Sequence, residues 1–542
     1  MESLKNSNSG PNMNPQNTEE QIKNLIERIE KDSSFAFLYQ LIQEYPQAEA
    51  FLVGGIVRDI LLGKENKDYD FLISGIKKNK LEQFLKKFGE VADIESRAFG
   101  VFKFKPHNWP GEFIDIALPR EEKQIGLGYK DFDIETSAQL SAQDDLSRRD
   151  FTINAMAIKV IGPHLKKEVE LVDPFGGQED LKKGIIRAVG NPEERFREDP
   201  SRILRAVRFA CQLGFQIEEK TFQAAQRLVS EIVRTFVDKN GEEKTRVSPE
   251  IIASEFLKGF NANPTQLLKL YDELGILHLI LPEVSALKGV EQPQEFHSEG
   301  DVWQHTLLVL NNLNPNANIN VKLAALFHDI GKPETQTFPQ NKNDRIRFNE
   351  HDIRGAEIFC QIFDRLKLSS PFAKDHYLYP DKKEIFWLIK NHMICVTKNP
   401  EAIRPSTIEN YFLKKPQWGE DLLELSYADI SATILSSGKP DFSTFERLKQ
   451  RIDEVKIFLE KEKEKEKLNQ KNPPICDGRE IMEIFNLRPG PLVGLIKETI
   501  RDLQLSRIIN NKEDLIKNKE KILKSCQQAS TVEEAIENFN RI

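Results

Sequence analysis

Asp68 and Asp70 stand two residues apart in the run KENKDYDFLIS. In a strand, side chains at i and i+2 share a face, so both carboxylates point the same way. Paired hard oxygen ligands on a rigid strand suit Mg²⁺ and in-line nucleotidyl transfer with two metals. Asp115, in the alternating run EFIDIAL, is a candidate third carboxylate, with Ile114 and Ile116 facing the core. Ahead of them, Gly54 and Gly55 separate the strand-like AFLV from the helical IVRDILLG. A backbone without Cβ there lets phosphate oxygens reach free N–H groups and the positive end of the helix dipole. A lone DxD is most often a solvated loop pair. The two glycines and the adjacent Arg58–Asp59 pair raise this one above that reading, and Arg58 joins the nucleotide-binding candidates.

Farther along, RRDFTINAMA offers Arg148 and Arg149 as bidentate phosphate donors. Asp150 and Asn154 can hydrogen-bond a ribose or order those arginines. In FREDPSRILRAVRFACQLGF, the positions Ile203, Leu204, Val207, Ala210 and Cys211 fall at helical spacing and should face the core. Asp199 and Arg202, three apart, read as neighbours on one helix face. Such a pair can address the Watson–Crick edge of a base. Taken alone, Asp before Pro reads as a helix cap, and the residue can do both jobs.

Six of the nine histidines fall between His297 and His392. His305 begins an apolar helix, while His328 and Asp329 end another that Gly331 terminates. His351 lies near the start of a third helix, His392 falls in a fourth and Asp429 in a fifth. Imidazoles with a neighbouring carboxylate on separate helices are the ligand set of a hydrolytic metal site.

The elements that must position these groups follow from the pattern. At 542 residues the chain exceeds a single core. Residues 1–20 are polar, with no apolar run of the kind a secretory signal needs, and read as a disordered arm. Mixed strand and helix periodicity makes 21–190 an α+β head. Helical periodicity follows in a neck and body at 191–290, a His-rich all-α module at 291–440, a charged linker helix at 441–474 around EKEKEKEK, and a small helical tail at 475–542. Apolar residues make up 39% and charged residues 30%, the balance of a globular protein. No run approaches the ~18 apolar residues of a membrane span. Five scattered cysteines without CxxC pairing point to reduced thiols and a cytoplasmic location. The net charge of −8 departs from the basic balance of a polyanion binder, so any RNA must be held by local patches.

Taken in order, GGIVRDILLG with DYD, RRDFTINAMA and DPFGGQEDL resemble the head of class II tRNA nucleotidyltransferases and bacterial poly(A) polymerases. The resemblance implies a DNA-polymerase-β-like core with Asp68 and Asp70 as Mg²⁺ ligands. ALPREEKQIGLGYKDF resembles the flexible loop these enzymes carry after the carboxylates. Glu198, Asp199 and Arg202 match the family's EDxxR motif, which selects the incoming base. HDIGK resembles the HD phosphohydrolase superfamily, whose ligand set maps to His305, His328, Asp329 and Asp429. His351 and His392 extend it to a second metal, and a divalent transition metal is the expected occupant. The tail segment DGREIMEIFNLRPGPLVG resembles a tRNA-contacting element. The implied partners are tRNA, CTP and ATP; neither DNA nor a membrane is expected, and no protein partner is legible. The implied activity is addition of CCA, or part of it, to tRNA. An A-adding enzyme or a poly(A) polymerase uses the same parts, and an HD hydrolase with a vestigial head is the reading from another class.

Overall fold

The computed structural model describes residues 15–92, 100–124, 132–161, 170–238, 240–341, 344–369, 378–397, 399–471 and 473–542. It contains two compact units, Met1–Lys398 with Gln417–Ser443, and Asn399–Pro416 with Thr444–Ile542. The arm expected at 1–20 is in part helical: a helix starts at Pro15 and runs to Lys31, and residues 1–14 lie outside the described set.

The head is built on β1 (Glu49–Val53), β2 (Asp70–Ser74), β3 (Gly89–Val91), β4 (Val101–Pro106) and β5 (Ile114–Ala117). β6 (Arg120–Gln124) and β7 (Phe132–Thr136) pair as a separate hairpin. This hairpin covers part of the expected loop, and its tip at 125–131 lies outside the described residues. With β8 (Ala157–Ile161) and β9 (Glu170–Val172), the main sheet runs β3-β4-β5-β2-β1-β8-β9. Within this sheet, among the described residues, only the β2–β5 pair is parallel.

β1 and β2 are buried on both faces, which is why AFLV and FLIS read as continuous apolar runs rather than alternating ones. One face is covered by the helix Ala36–Glu44, whose Phe37 ring meets those of Phe71 and Phe104. On the other, Phe51, Val53 and Leu72 pack against Ala142, Leu146 and Ala155. The parallel register sets Asp70 opposite Asp115, so two carboxylates lie side by side across neighbouring strands.

Helices Pro192–Glu198, Ser201–Leu213 and Pro249–Ala262 occupy the segment expected as the neck, the last with Pro249 at its first turn. A hairpin, Thr235–Val237 with Glu243–Thr245, interrupts the expected all-helical run. The next module contains the helices Val302–Asn312, Ile319–Phe327, His351–Arg365, Lys382–Asn391 and Pro416–Ala432. His305, His351 and Asp429 lie within the first, third and fifth, whereas His328 with Asp329, and His392, expected inside a helix, stand just past the ends of the second and fourth. The charge block forms the distal half of one helix, Ser443–Lys471. Its buried stripe of Phe445, Leu448, Ile452 and Val455 ends where the block begins. The tail has its own apolar core, including Ile481, Phe485, Ile496, Leu503 and Phe539.

Behind the histidines, a carboxyl pair pins three helices. Asp421 takes amide donors from Asn318 at 2.8 Å and Gln417 at 2.9 Å, and Glu384 takes one from Asn320 at 2.8 Å. Burial, then the bond to Asp421, pushes the Glu384 carboxyl from 4.5 up to about 8. The folded protein therefore keeps a proton that the unfolded chain releases near 4.5, so stability falls as pH rises between those values. Glu384→Gln, which supplies a permanent donor, should match the wild type in thermal unfolding near pH 5 and exceed it near pH 9. Parallel melting curves at every pH would contradict the shared proton.

Candidate functional site

In the head, Gly54 holds φ +78°, a conformation side chains disfavour, and a Cβ there would lie 3.1 Å from Arg149 Nη1 and 3.6 Å from Asp70 Oδ2. The glycine thus lets backbone, guanidinium and carboxylate converge. Gly55 opens the following helix. Burial first, then the neighbouring Asp115, raises the Asp70 carboxyl from 3.8 to about 6, against the pull of Arg149 and Lys103. Lys103 Nζ sits 2.7 and 2.8 Å from the two oxygens of Asp115. Asp68 differs from expectation: β2 begins at Asp70, and Asp68 lies exposed in the preceding segment, its N–H bound to Asn66 Oδ1 at 2.7 Å. The short strand cannot extend back through a turn that Asn66 organises.

The arginine pair is ordered by a residue the motif did not reveal. Asp145 is fully buried in the helix Ala142–Ser147, and its two oxygens take Arg148 and Arg149 respectively. Burial would raise this carboxyl, but Arg149 and Arg148 hold it below its ordinary value. Asp150, expected to order the arginines or a ribose, instead accepts Arg205 Nε at 2.9 Å and Nη2 at 2.6 Å. Against burial, Arg205 brings it down to about 2. Asn154 joins Asp150 to the glycine helix, donating to Asp150 Oδ1 at 3.2 Å and accepting from Arg58 Nη1 at 2.9 Å. Arg58 is further held by Asp59 at 2.7 Å, so its guanidinium braces the glycine turn.

Asp199 and Arg202 do not share a helix face. Asp199 is extended at the junction of two neck helices, and its Oδ1 accepts the Ser201 N–H at 2.9 Å. The cap reading of that residue is thus realised, because Pro200 supplies no N–H and the next donor needs an acceptor. Arg202 donates to Glu198 Oε2 at 2.9 Å, to Arg195 O at 3.2 Å and, across to the head, to Arg148 O at 3.1 Å. The neck motif is thereby bonded to the arginine loop.

The histidine module brings all six expected ligands together. His305, His328 and Asp429 form one cluster, and Asp329, His351 and His392 another, with ligand atoms within 4.8 Å in each. Asp329 reaches both: Oδ2 is 3.2 Å from His328 Nε2 and Oδ1 is 3.4 Å from His351 Nε2. His328, His351 and His392 each direct Nδ1 at a backbone carbonyl, of Ala325 at 2.8 Å, Phe348 at 2.8 Å and Ile389 at 2.6 Å. A carbonyl only accepts, so Nδ1 carries the proton and Nε2 is a bare lone pair. His351 Nε2 and His392 Nε2 then face each other at 3.3 Å with no proton between them. His328 Nε2 is buried without a hydrogen bond. Burial holds the His351 and His392 imidazoles below their ordinary range, His392 near about 4, which keeps them neutral. This donor set fits divalent cations. Sequence reasoning missed Glu299, bound to His305 Nδ1 at 2.9 Å, and Lys332, whose Nζ lies 2.7 Å from Asp329 Oδ2 and 2.7 Å from Gln292 Oε1. The K of HDIGK was the available signal for Lys332.

Residues 50–187 match the poly A polymerase head domain, and residues 302–415 match the HD domain. The chain is 36% identical over 322 residues to the multifunctional CCA protein of Neisseria gonorrhoeae (strain NCCP11945), covering 59% of this chain and 70% of that one. It is 35% identical over 389 residues to the multifunctional CCA protein of Neisseria meningitidis serogroup B (strain ATCC BAA-335 / MC58), covering 71% and 83%. The chain belongs to the multifunctional CCA protein family. Its fold also matches that of a CCA-adding enzyme in apo form II, with a TM-score of 0.50 at 21% identity over 88% of this chain and 93% of that one. In this family member the head match contains Asp68, Asp70, Asp115, Arg148 and Arg149, whereas Glu198–Arg202 lie beyond it. The HD match contains every histidine of the two clusters, and Asp429 lies past its end. Both domains are of kinds that use divalent metals, and no helix among the described residues is long and apolar enough to cross a membrane.

Asp70 yields a test that needs no turnover. Its carboxyl, about 6 when folded and 3.8 when not, makes the folded state the tighter proton binder between those values, so the metal-free protein loses stability as pH rises through that window. The loss above pH 6 is about 3 kcal/mol. Asp70→Asn should therefore be more stable than the metal-free wild type at pH 8 and no more stable near pH 3.5, measured by urea unfolding. Equal stabilities at both pH values would contradict the crowding of Asp70 against Asp115.

Proposed function

We propose that this chain adds CMP and AMP, from CTP and ATP, to the 3′ end of tRNA without a nucleic-acid template, building or repairing CCA. The observation that carries this reading is the convergence of Asp70, Asp115, Gly54 and Arg149 at one end of the central sheet strands, with Arg202 of the neck bonded to the same arginine loop. Its likeness to multifunctional CCA proteins supports it.

In the transfer, the tRNA 3′ hydroxyl gives up its proton to solvent and its oxygen bonds to the α-phosphorus of the incoming nucleotide as the α–β bridging bond breaks and pyrophosphate leaves. Asp68, Asp70 and Asp115 would hold Mg²⁺, which would supply positive charge to the reacting phosphate when bound. Arg148 and Arg149, fixed in direction by Asp145, neutralise the departing pyrophosphate. Gly54 and Gly55 leave room for phosphate against the backbone, and Arg58 with Asn154 keeps that turn rigid. Glu198, Asp199 and Arg202 read the base; Asp150, through Arg205 and Asn154, holds the reading helix against the head. To read a base, Arg202 exchanges a donor now spent on Glu198 or a carbonyl. The tail is the tRNA-contacting element, and the five free cysteines suit the reducing cytoplasm.

The HD clusters support a second activity, hydrolysis of phosphate monoesters or 2′,3′-cyclic phosphates with a divalent transition metal, carried by the opposed Nε2 lone pairs of His351 and His392.

Asp70→Ala should lower nucleotide addition on the order of 10³-fold, the scale of losing transition-state charge stabilisation, with tRNA affinity little changed in a filter-binding assay. Addition at the wild-type rate would remove Asp70 from the machinery. Arg202→Ala should reduce discrimination among the four nucleoside triphosphates by about tenfold or more. If selectivity is unchanged, Arg202 only ties neck to head.

A further inference from the structure

A third cluster of metal-type side chains, His297, Glu299 and His305, adjoins the two described above and shares His305 with one of them. A neutral imidazole has two nitrogens and one proton. His305 Nε2 lies 2.9 Å from Asp429 Oδ1 in the cluster where it is a candidate ligand, so as a ligand it carries its proton on Nδ1. That proton needs an acceptor. The other three histidines use the backbone carbonyl three residues before them, whereas His305, in the first turn of its helix, points Nδ1 at Glu299 Oε1, 2.9 Å away.

Glu299 is made for this contact. Its side chain has no exposed surface, the same Oε1 is 2.7 Å from His297 Nδ1, and Oε2 accepts the backbone N–H of Ile434 at 3.0 Å. Ile434 follows the helix that carries Asp429, and Ser298 clamps the same residue by donating from N at 2.9 Å and Oγ at 2.7 Å to its carbonyl. One carboxylate therefore links the segment before His305 to the end of the element bearing Asp429.

We infer that Glu299 is a positioning residue of the HD centre, fixing the tautomer and direction of His305 and seated by His297, and that this third cluster is not itself a metal site. The alternative fails on chemistry. A cation among His297, Glu299 and His305 would take Nδ1 of His305 while its Nε2 serves the neighbouring cluster, which requires an imidazole stripped of both protons. Glu299 alone satisfies the buried Nδ1–H, and its second oxygen is already spent on the backbone. Carboxylate–histidine pairs of this kind change metal affinity by about 10–100-fold when broken.

The inference rests on the reading that the HD centre binds a divalent cation, and the test separates the two. Mn²⁺ binding to the full chain is measured by calorimetry for the wild type, Glu299→Gln and His305→Ala; binding lost in His305→Ala defines the HD component. In Glu299→Gln the number of Mn²⁺ bound should be unchanged, with the HD component weakened about 10–100-fold. Glu299→Asp, which keeps the acceptor charge, should recover part of that loss. Nucleotide addition by the head, at the wild-type rate in Glu299→Gln, reports that the chain is folded. An unchanged HD component in Glu299→Gln overturns the positioning role. Loss of a whole Mn²⁺ equivalent while the HD component keeps its affinity makes Glu299 a ligand of a third ion and also overturns it. Identical binding by the wild type and His305→Ala overturns the metal reading of the cluster that contains His305, and the inference with it.

Discussion

His351 Nε2 and His392 Nε2 oppose one another at 3.3 Å because each imidazole has already committed its proton to a backbone carbonyl. Buried lone pairs placed in this way repel unless a cation lies between them, and the helices of the HD module are arranged to hold them there. The head obeys the same constraint with carboxylates. Parallel pairing of β2 with β5 forces Asp70 beside Asp115, and the cost appears as a carboxyl raised to about 6. There the like charges are partly met by Lys103 and Arg149 from the chain itself. In both centres strong backbone elements supply the energy, strands holding like charges together in one and helix ends holding opposed lone pairs together in the other.

A chain of net charge −8 builds local cationic sites by concentrating guanidinium groups and fixing several of them with buried acids. Asp145 holds Arg148 and Arg149, Asp150 holds Arg205, and Glu255 holds Arg208 at 2.6 Å. Arg58 of the head and Arg205 and Arg208 of the neck also converge on one ring, Phe209, at 5.2, 5.4 and 4.0 Å. Removing one partner of such a buried pair costs about 3–5 kcal/mol because the other charge is stranded. The acids therefore set direction and leave the arginines rigid.

Much of this was legible in the residues. Periodicity located β1, β2, β5 and the helix that Gly54 starts, and the HD resemblance named six candidate ligands that the structure brings together. What escaped were contacts whose partners are distant in sequence or turn on local backbone geometry. DYD looks like strand throughout, but Asn66 bends the chain and leaves Asp68 outside β2. Asp199 and Arg202 have helical spacing, yet the proline between them marks the boundary of two helices rather than the interior of one. Asp145 and Glu299 resemble ordinary acids in a line of sequence, and only burial reveals that each holds two cationic or N–H-bearing partners. By adjacency Asp150 reads as able to order the neighbouring arginines or bind a ribose, whereas its partner lies 55 residues on.

The central claim is that one head centre, with its base reader in the neck, builds a fixed trinucleotide. The direct measurement is extension of a tRNA lacking its 3′ CCA, beside a tRNA ending in CC. Each labelled nucleoside triphosphate is given alone and in combination with Mg²⁺, and products are sized to the nucleotide. The account predicts two C additions from CTP alone, one A addition to the CC-ending tRNA from ATP alone, and a stop at CCA when both are present. A long A ladder, A addition without C addition, or no extension of either tRNA would contradict it.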